Sequence, residues 1–264
     1  MTTVLITGAS GTLGRSLLSQ PAAEVHSIRA LSRAETVDDR SPIEWRRGDL
    51  ATGVGLDSAM AGVDTVIHAA SSPRQDTERI DVEGTERLVG AARRAGVRHF
   101  VFVSIVGIDR VPYAYYRHKL AAEQAVRSSG EGLPWTIVRG TQFHTFMDRR
   151  FAGMTRYPIA WVPRRFVGQP IDVAEFADFL WARADGQPLN GIVEAAGPEV
   201  LTWREMLDTW MDERGVHKRL LEVPIFGRRG AAWRRGDATA PARAVGRLTW
   251  RAWVRARYGE AARG

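Results

Sequence analysis

The sequence predicts an α/β fold: a doubly wound parallel sheet followed by a smaller C-terminal region. Three observations carry this. Short apolar runs recur through the first 140 residues. They alternate with segments of helical periodicity, spacing that calls for right-handed crossovers between parallel strands. The runs are apolar at nearly every position, as in Thr65-Val66-Ile67-His68-Ala69-Ala70, the pattern of strands buried on both faces.

Val4-Leu5-Ile6 is the first strand. Gly8, Gly11 and Gly14 follow in G-x-x-G-x-x-G spacing, with Ser10, Thr12 and Leu13 between them. Residues 15–20 read as the start of a helix. A strand, a glycine-rich turn and a helix N-terminus form a phosphate cradle. The glycines admit backbone N–H groups close to a pyrophosphate, and the helix end adds free donors and a positive dipole end. The spacing differs from the commonest dinucleotide fingerprint, but the strand-before, helix-after context is met.

Residues 25–32 are a second strand and 43–46 a third, ending in Gly48-Asp49-Leu50. A short helix over 56–61 leads to the fourth strand, 65–70. Residues 82–95 are amphipathic, with Val82, Leu88, Val89 and Ala92 on one face, and Gly96 ends that helix. The fifth strand is 99–104. A helix over 115–129 stops at Gly130, and 135–139 is the sixth strand. In such a sheet the ligand sits beyond the carboxyl ends of the strands.

After residue 140 the pattern loosens. Residues 172–175 and 202–205 read as capping boxes that open helices. Residues 191–196 suit a seventh strand and 223–226 one more short strand. Trp250, Trp253, Val254 and Tyr258 form an apolar stripe for a closing helix. The division expected is a core over 1–145 and a C-terminal region over 146–264 that partly returns to the core.

An apolar fraction of 44% supports a sizeable core and argues against disorder. The absence of cysteine removes disulfides, thiolate metal sites and a cysteine nucleophile. The first strand starts too early to leave room for a signal peptide, and no run of 18 apolar residues suggests a membrane span. A cytoplasmic protein with no membrane partner is expected. From His217 onward 12 Lys and Arg face 3 Asp and Glu, so the net charge of +7 resides in that segment. No nucleic-acid-binding motif accompanies it. A solvated basic surface is expected rather than a nucleic-acid site.

Arg33 stands where the second strand ends, 19 positions after Gly14. NAD sites usually place an acidic residue there for the ribose 2′-hydroxyl. A guanidinium suits a 2′-phosphate instead, which points to NADP. Arg15 is a weaker phosphate candidate. Asp49 either accepts from an adenine amino group, with Leu50 against the ring, or is a plain turn residue. Ala69, Ala70 and Ser71 are small enough to let a cofactor ribose lie on the backbone.

Tyr115 and Lys119 are i and i+4 on one helix face. An ammonium beside a phenol stabilises the phenolate and can also donate to ribose hydroxyls. Such a pair moves a proton while a nicotinamide moves hydride. The alternative is that Lys119 pairs with Glu123, one turn further on, on a wet face. Only Lys119 and Lys218 are lysines in a chain that otherwise uses Arg, which favours a special role for Lys119.

These stretches together carry a family resemblance: residues 7–14, Gly48-Asp49-Leu50, Asp81-Val82-Glu83-Gly84-Thr85, Ser104-Ile105-Val106-Gly107-Ile108-Asp109, 115–123 and 136–144. The chain resembles an atypical short-chain dehydrogenase/reductase of the NmrA-like, NAD(P)H-binding group. The resemblance covers most of the chain and is strongest through residue 145. It implies a Rossmann-type NADP-binding core and a smaller C-terminal substrate-binding region. It also places Thr141, Gln142 and Phe143 by the nicotinamide, and Ser104 among the cofactor contacts. Active reductases of the extended group carry a serine just after the fifth strand. Here that place is Ile105, and Ser104, one residue early, faces the other way.

The function implied is an NADPH-dependent oxidoreductase acting on a small carbonyl, enone or quinone-like substrate. The other reading is a non-catalytic NADP(H)-binding redox sensor of the NmrA type. No metal is expected: the histidines at 26, 68, 99, 118, 144 and 217 lack ligand spacing. No G-x-S-x-G elbow exists. His68 and His99 read as packing residues in strands, and His144 as a substrate contact.

Overall fold

The computed structural model describes residues 1–34, 42–73 and 75–259. Glu260 and Arg263 of the basic segment lie outside them. In chain order the elements are β1 (Thr3–Thr7), α1 (Thr12–Leu18), β2 (Ser27–Ser32), β3 (Glu44–Arg47), α2 (Leu56–Met60), β4 (Thr65–His68), α3 (Glu83–Arg94), β5 (His99–Ile105), α4 (Ala114–Arg127) and β6 (Trp135–Gly140). Then follow α5 (His144–Met154), β7 (Ile159–Pro163), β8 (Val167–Gly168), α6 (Val173–Ala184), β9 (Gly191–Ala195), β10 (Leu201–Thr202), α7 (Trp203–Asp212), β11 (Arg219–Val223), α8 (Gly227–Arg235) and α9 (Trp250–Tyr258).

Seven strands form one sheet in the order β3-β2-β1-β4-β5-β6-β9. β1 runs parallel to both β2 and β4, with Thr7 opposite Leu31 on one side and His68 on the other. β3 and β5 extend the parallel set. This is the doubly wound α/β sheet that the alternation predicts. The chain starts in the middle at β1, winds out to β3, then returns to β4 on the other side. The β1–β4 gap is the switch point, where such sheets bind their ligands.

The chain divides into two interleaved compact units. The first comprises Met1–Ser104, Ala114–Arg139 and Ala177–Val193. Its core is Leu5, Val66, Phe100, Phe102 and Ile137 from the strands, with Met60, Leu88, Ala92, Ala122 and Val126 from the helices. α3 buries Leu88, Val89 and Ala92 as its periodicity requires, and Gly96 takes the positive φ of 70° expected after its end. The last segment of the unit is tied in by Trp181, whose indole N–H donates to the Leu17 carbonyl at 3.0 Å.

The second unit comprises Ile105–Tyr113, Gly140–Phe176 and Glu194–Gly264. Its core is aromatic and sulfur-rich: Met147, Phe151, Trp203, Met206, Trp210, Trp250 and Trp253. Trp250 and Trp253 stack at 5.6 Å, so the closing helix forms as the stripe predicts. The box at Thr202 is complete, with Thr202 Oγ1 accepting from Glu205 N and Glu205 accepting from Thr202 N.

The box at Asp172 is only half made. Asp172 Oδ1 accepts from Ala174 N at 2.8 Å. Glu175 instead accepts from the backbone amides of Arg247 and Leu248, at 2.9 and 3.1 Å, two donors that a carboxylate satisfies better than one. Other boundaries also differ. Residues 21–25 form a 3-10 turn led by Pro21, so β2 starts only at Ser27. β4 stops at His68, leaving Ala69 and Ala70 as loop. The short late strand covers 219–223 rather than 223–226, because it pairs in parallel with β7.

Candidate active site

The glycine turn after β1 is closed by contact. Gly8 takes φ of 70°, and a Cβ there would lie 2.8 Å from Ala70 Cα. A Cβ on Gly14 would overlap the Gly8 carbonyl oxygen and come within 2.5 Å of Ala9 Cα. Both positions demand glycine, for the tight turn and for helix packing respectively. The N-cap of α1 is Gly11, and no side chain caps the helix. Its first amides are open to an anionic oxygen. Ser10 and Gly11 are exposed at the tip, Thr12 is half-buried and Leu13 is buried.

A chain of buried polar groups fixes the β1 and β4 ends beside this turn. The Ala70 amide donates to Thr7 Oγ1 at 3.2 Å. Thr7 Oγ1 lies 2.6 Å from His68 Nδ1, and His68 Nε2 lies 3.0 Å from Thr85 Oγ1. Thr85 in turn donates to the Asp81 carbonyl at 2.6 Å. Thr85 has one proton, used on that carbonyl, so His68 donates from Nε2 and accepts at Nδ1. His68 is therefore a neutral link. Burial pushes its pKa down to about 3, with Lys119 adding to the shift. Its sequence reading as a packing residue omits this bridging role.

α4 carries Tyr115 and Lys119 one turn apart. The Tyr115 hydroxyl is 2.6 Å from Ser71 Oγ. Lys119 is 3% exposed; its ammonium donates to the Val103 carbonyl at 2.9 Å and lies 4.2 Å from the Phe102 ring centroid. Burial lowers its pKa to about 8, against the opposing charges of Asp81 and Glu123. The wet-face pairing with Glu123 does not form. Glu123 is itself buried and grips Arg139 through two bonds, 2.9 and 2.7 Å. It acts on Lys119 only through its field.

A family model described as NAD(P)H-binding matches residues 8–185, from the glycine turn through α6. The chain belongs to this NAD(P)H-binding family. The NAD(P)H-binding part of the resemblance read from the sequence holds.

Two curated relatives are reductases. The chain is 31% identical over 211 residues to a (4-alkanoyl-5-oxo-2,5-dihydrofuran-3-yl)methyl phosphate reductase of Streptomyces griseus, covering 76% of this chain and 70% of that one. It is 27% identical over 281 residues to a 4-hydroxy-2-methyl-3-oxo-4-farnesyl-3,4-dihydroquinoline-1-oxide ketoreductase of Stigmatella aurantiaca, covering 94% and 81%. Among solved structures, the NADPH complex of a quinone oxidoreductase from Escherichia coli superposes with a TM-score of 0.79 at 16% identity, over 95% of this chain and 98% of that one. That likeness is one of fold. The family and its reductases support an NAD(P)H-dependent oxidoreductase.

As a member of the NAD(P)H-binding family the chain has a turn that fits a dinucleotide, since the exposed Gly11 at its tip opens a helix whose first amides no side chain caps. The first unit brings Gly8, Ala70, Ser71, Tyr115 and Lys119 into one connected group. Arg33 is exposed just past β2. Asp49 serves its own turn, accepting from Ala51 N and Thr52 Oγ1. Leu50 is 8% exposed and belongs to the core. Ser104 is buried, and its hydroxyl has no hydrogen-bond partner among the described residues.

Thr141, Gln142 and Phe143 belong to the second unit and are engaged there. Thr141 Oγ1 accepts from Gly197 N, Gln142 Nε2 donates to the Ala238 carbonyl, and Phe143 meets Phe176 at 5.4 Å. His144 is fully buried against the stacked pair Trp250 and Trp253, which argues against the expected substrate contact. Among the described residues no group of His, Asp and Glu could hold a metal ion, and no helix is long and apolar enough to cross a membrane. Asp81 is the residue that sequence reasoning passed over. Its signal is a carboxylate in the matched stretch ahead of an amphipathic helix, where it is 2% exposed.

Proposed function

We propose that the protein is an NADPH-dependent reductase of a small carbonyl, enone or quinone-like substrate. The observation that carries this is a buried lysine one helical turn from a half-buried tyrosine, the tyrosine linked to Ser71 just past β4 and the lysine to the Val103 carbonyl on β5. When bound, the cofactor supplies hydride. The chain supplies the rest. Gly8, Gly11 and Gly14 and the first turn of α1 receive the pyrophosphate. Arg33 pairs the 2′-phosphate, Ala69 and Ala70 lie under the ribose, and Asp49 uses a remaining lone pair toward adenine. Lys119 donates to the ribose hydroxyls, and Tyr115 gives a proton to the substrate oxygen.

The test is NADPH oxidation measured with a panel of small ketones, enones and quinones. Tyr115→Phe should keep NADPH affinity and lose on the order of 10²–10⁴-fold in turnover. Full turnover in that variant would remove Tyr115 from the mechanism.

One observation favours a second reading, a non-catalytic NADP(H) sensor. The usual serine place is Ile105, and the Ser104 hydroxyl is enclosed. A sensor would bind NADPH and show no turnover with any of the panel, so that Tyr115→Phe changes nothing.

A further inference from the structure

Ser71 Oγ lies 2.6 Å from Asp81 Oδ1 and 2.6 Å from Tyr115 Oη. The other Asp81 oxygen accepts from the Ser72 amide at 2.8 Å. With both oxygens accepting, Asp81 acts as a carboxylate and has no proton to give. Ser71 has one proton, and it goes to Asp81. Tyr115 must then be the donor in its contact with Ser71. The phenol proton points along a defined line, Tyr115 to Ser71 to Asp81.

The end of this line is held firmly. Asp81 is 2% exposed and sits in a π-type turn, Glu78–Val82, directly before α3. Such widened turns recur at functional positions. The Asp81 carbonyl is fixed by Thr85, which His68 holds in turn. Ser71, by contrast, is exposed to solvent. A rotatable exposed hydroxyl thus stands between the phenol and a rigid buried acceptor.

We propose that Ser71 and Asp81 are positioning residues that aim the Tyr115 proton and receive the phenolate after that proton has gone. The substrate step rests on the reductase reading above. The Oη–H bond of Tyr115 breaks as the proton passes to the substrate oxygen, whose carbon has gained hydride, and the electron pair stays on Oη. Ser71 then turns its O–H from Asp81 to the phenolate and keeps its own proton. Asp81 retains the Ser72 amide. A proton from a solvent acid, arriving on the exposed Ser71 side, restores the phenol. A hydroxyl bond to a phenolate is charge-assisted and stronger than one from a neutral phenol. Ser71 therefore favours the phenolate, and the Asp81 charge disfavours it.

The two residues should then act in opposite directions. Tyrosinate absorbance is titrated in each background with and without Tyr115→Phe, so the difference reports Tyr115 alone and needs no turnover. Ser71→Ala should move the Tyr115 midpoint to higher pH. Asp81→Asn should move it to lower pH, because the amide removes the charge and donates to Ser71, freeing the Ser71 proton for Tyr115. Ser71→Thr should restore the wild-type midpoint. Turnover, where present, should fall about tenfold in Ser71→Ala and recover in Ser71→Thr. Thermal melts identify any variant that fails to fold, and Ser71→Thr and Ser71→Ala carry the test if Asp81→Asn does. Midpoints that stay put, or move the same way, overturn the proposal even if Tyr115 proves essential. Opposite shifts with no turnover on any substrate uphold it and sink the reductase reading instead.

Discussion

The Arg139 guanidinium on β6 and the Glu123 carboxylate on α4 meet through two bonds of 2.9 and 2.7 Å, with both side chains buried. This pair fastens to the sheet the helix that carries Tyr115 and Lys119. A buried pair recovers its desolvation cost only while both members are present. Arg139→Met should therefore destabilise the fold by about 3–5 kcal/mol. The double variant Arg139→Met with Glu123→Leu should regain most of that loss. Urea unfolding of the three proteins checks it. A single variant as stable as wild type would contradict the reading.

Lys119 gives a pH dependence of definite sign. Its pKa is about 8 folded, against the 10.5 ordinary for a lysine. Between these limits the unfolded chain binds more protons, so stability rises with pH. The cost of charging the buried ammonium is fully present below pH 8 and relieved toward pH 10.5. It amounts to about 3 kcal/mol. Lys119→Met should be more stable than wild type at pH 7, the difference closing as pH rises, while NADPH binding weakens. Denaturant midpoints across that range test it.

His144 acts at the acid end. Burial lowers its pKa from 6.5 to about 4, partly opposed by Asp172 and the Pro170 backbone. Stability is complete above pH 6.5 and is lost as pH falls toward 4, because the unfolded chain protonates first. His144→Phe keeps an aromatic ring against Trp250 and Trp253 and removes the titration. Its melting temperature should fall less than that of wild type between pH 6.5 and 4.

Cofactor preference should depend on Arg33. A 2′-phosphate pairing is worth about 1.5–3 kcal/mol, so NADPH should bind roughly ten- to hundredfold tighter than NADH. Arg33→Ala should erase the difference. Titrations with both cofactors decide this, and equal affinities in the wild type would refute it.

The parts of the fold that follow local rules were legible in the chain. The β1 turn was readable because its three glycines stand between an apolar run and a helix, and Gly8 and Gly14 prove to be contact-limited. Lys119 was conspicuous through the scarcity of lysine. Asp81 was not, since its partners Ser71 and Ser72 come from another loop and nothing in spacing announces that meeting. Glu175 misled for a similar reason. Its local pattern is a capping box, yet amides 72 and 73 positions away compete for the carboxylate and win. The second unit was least legible because its core is mostly Trp, Phe and Met, gathered from short elements with weak periodicity.

The interleaving of the two units sets a constraint on synthesis. The first unit takes its last piece from Ala177–Val193, so the ribosome must pass residue 193 before that unit can close. Until then Leu17 lacks the indole of Trp181, and β6 stands as an open edge that β9 has yet to cover. An uncovered edge strand is a template for pairing with other chains. The nascent protein must hold an incomplete sheet while it waits, the situation in which chains aggregate or enlist chaperones. A gene fragment ending at residue 176 should accordingly yield insoluble protein, although it encodes every residue of the glycine turn and both members of the Tyr115–Lys119 pair.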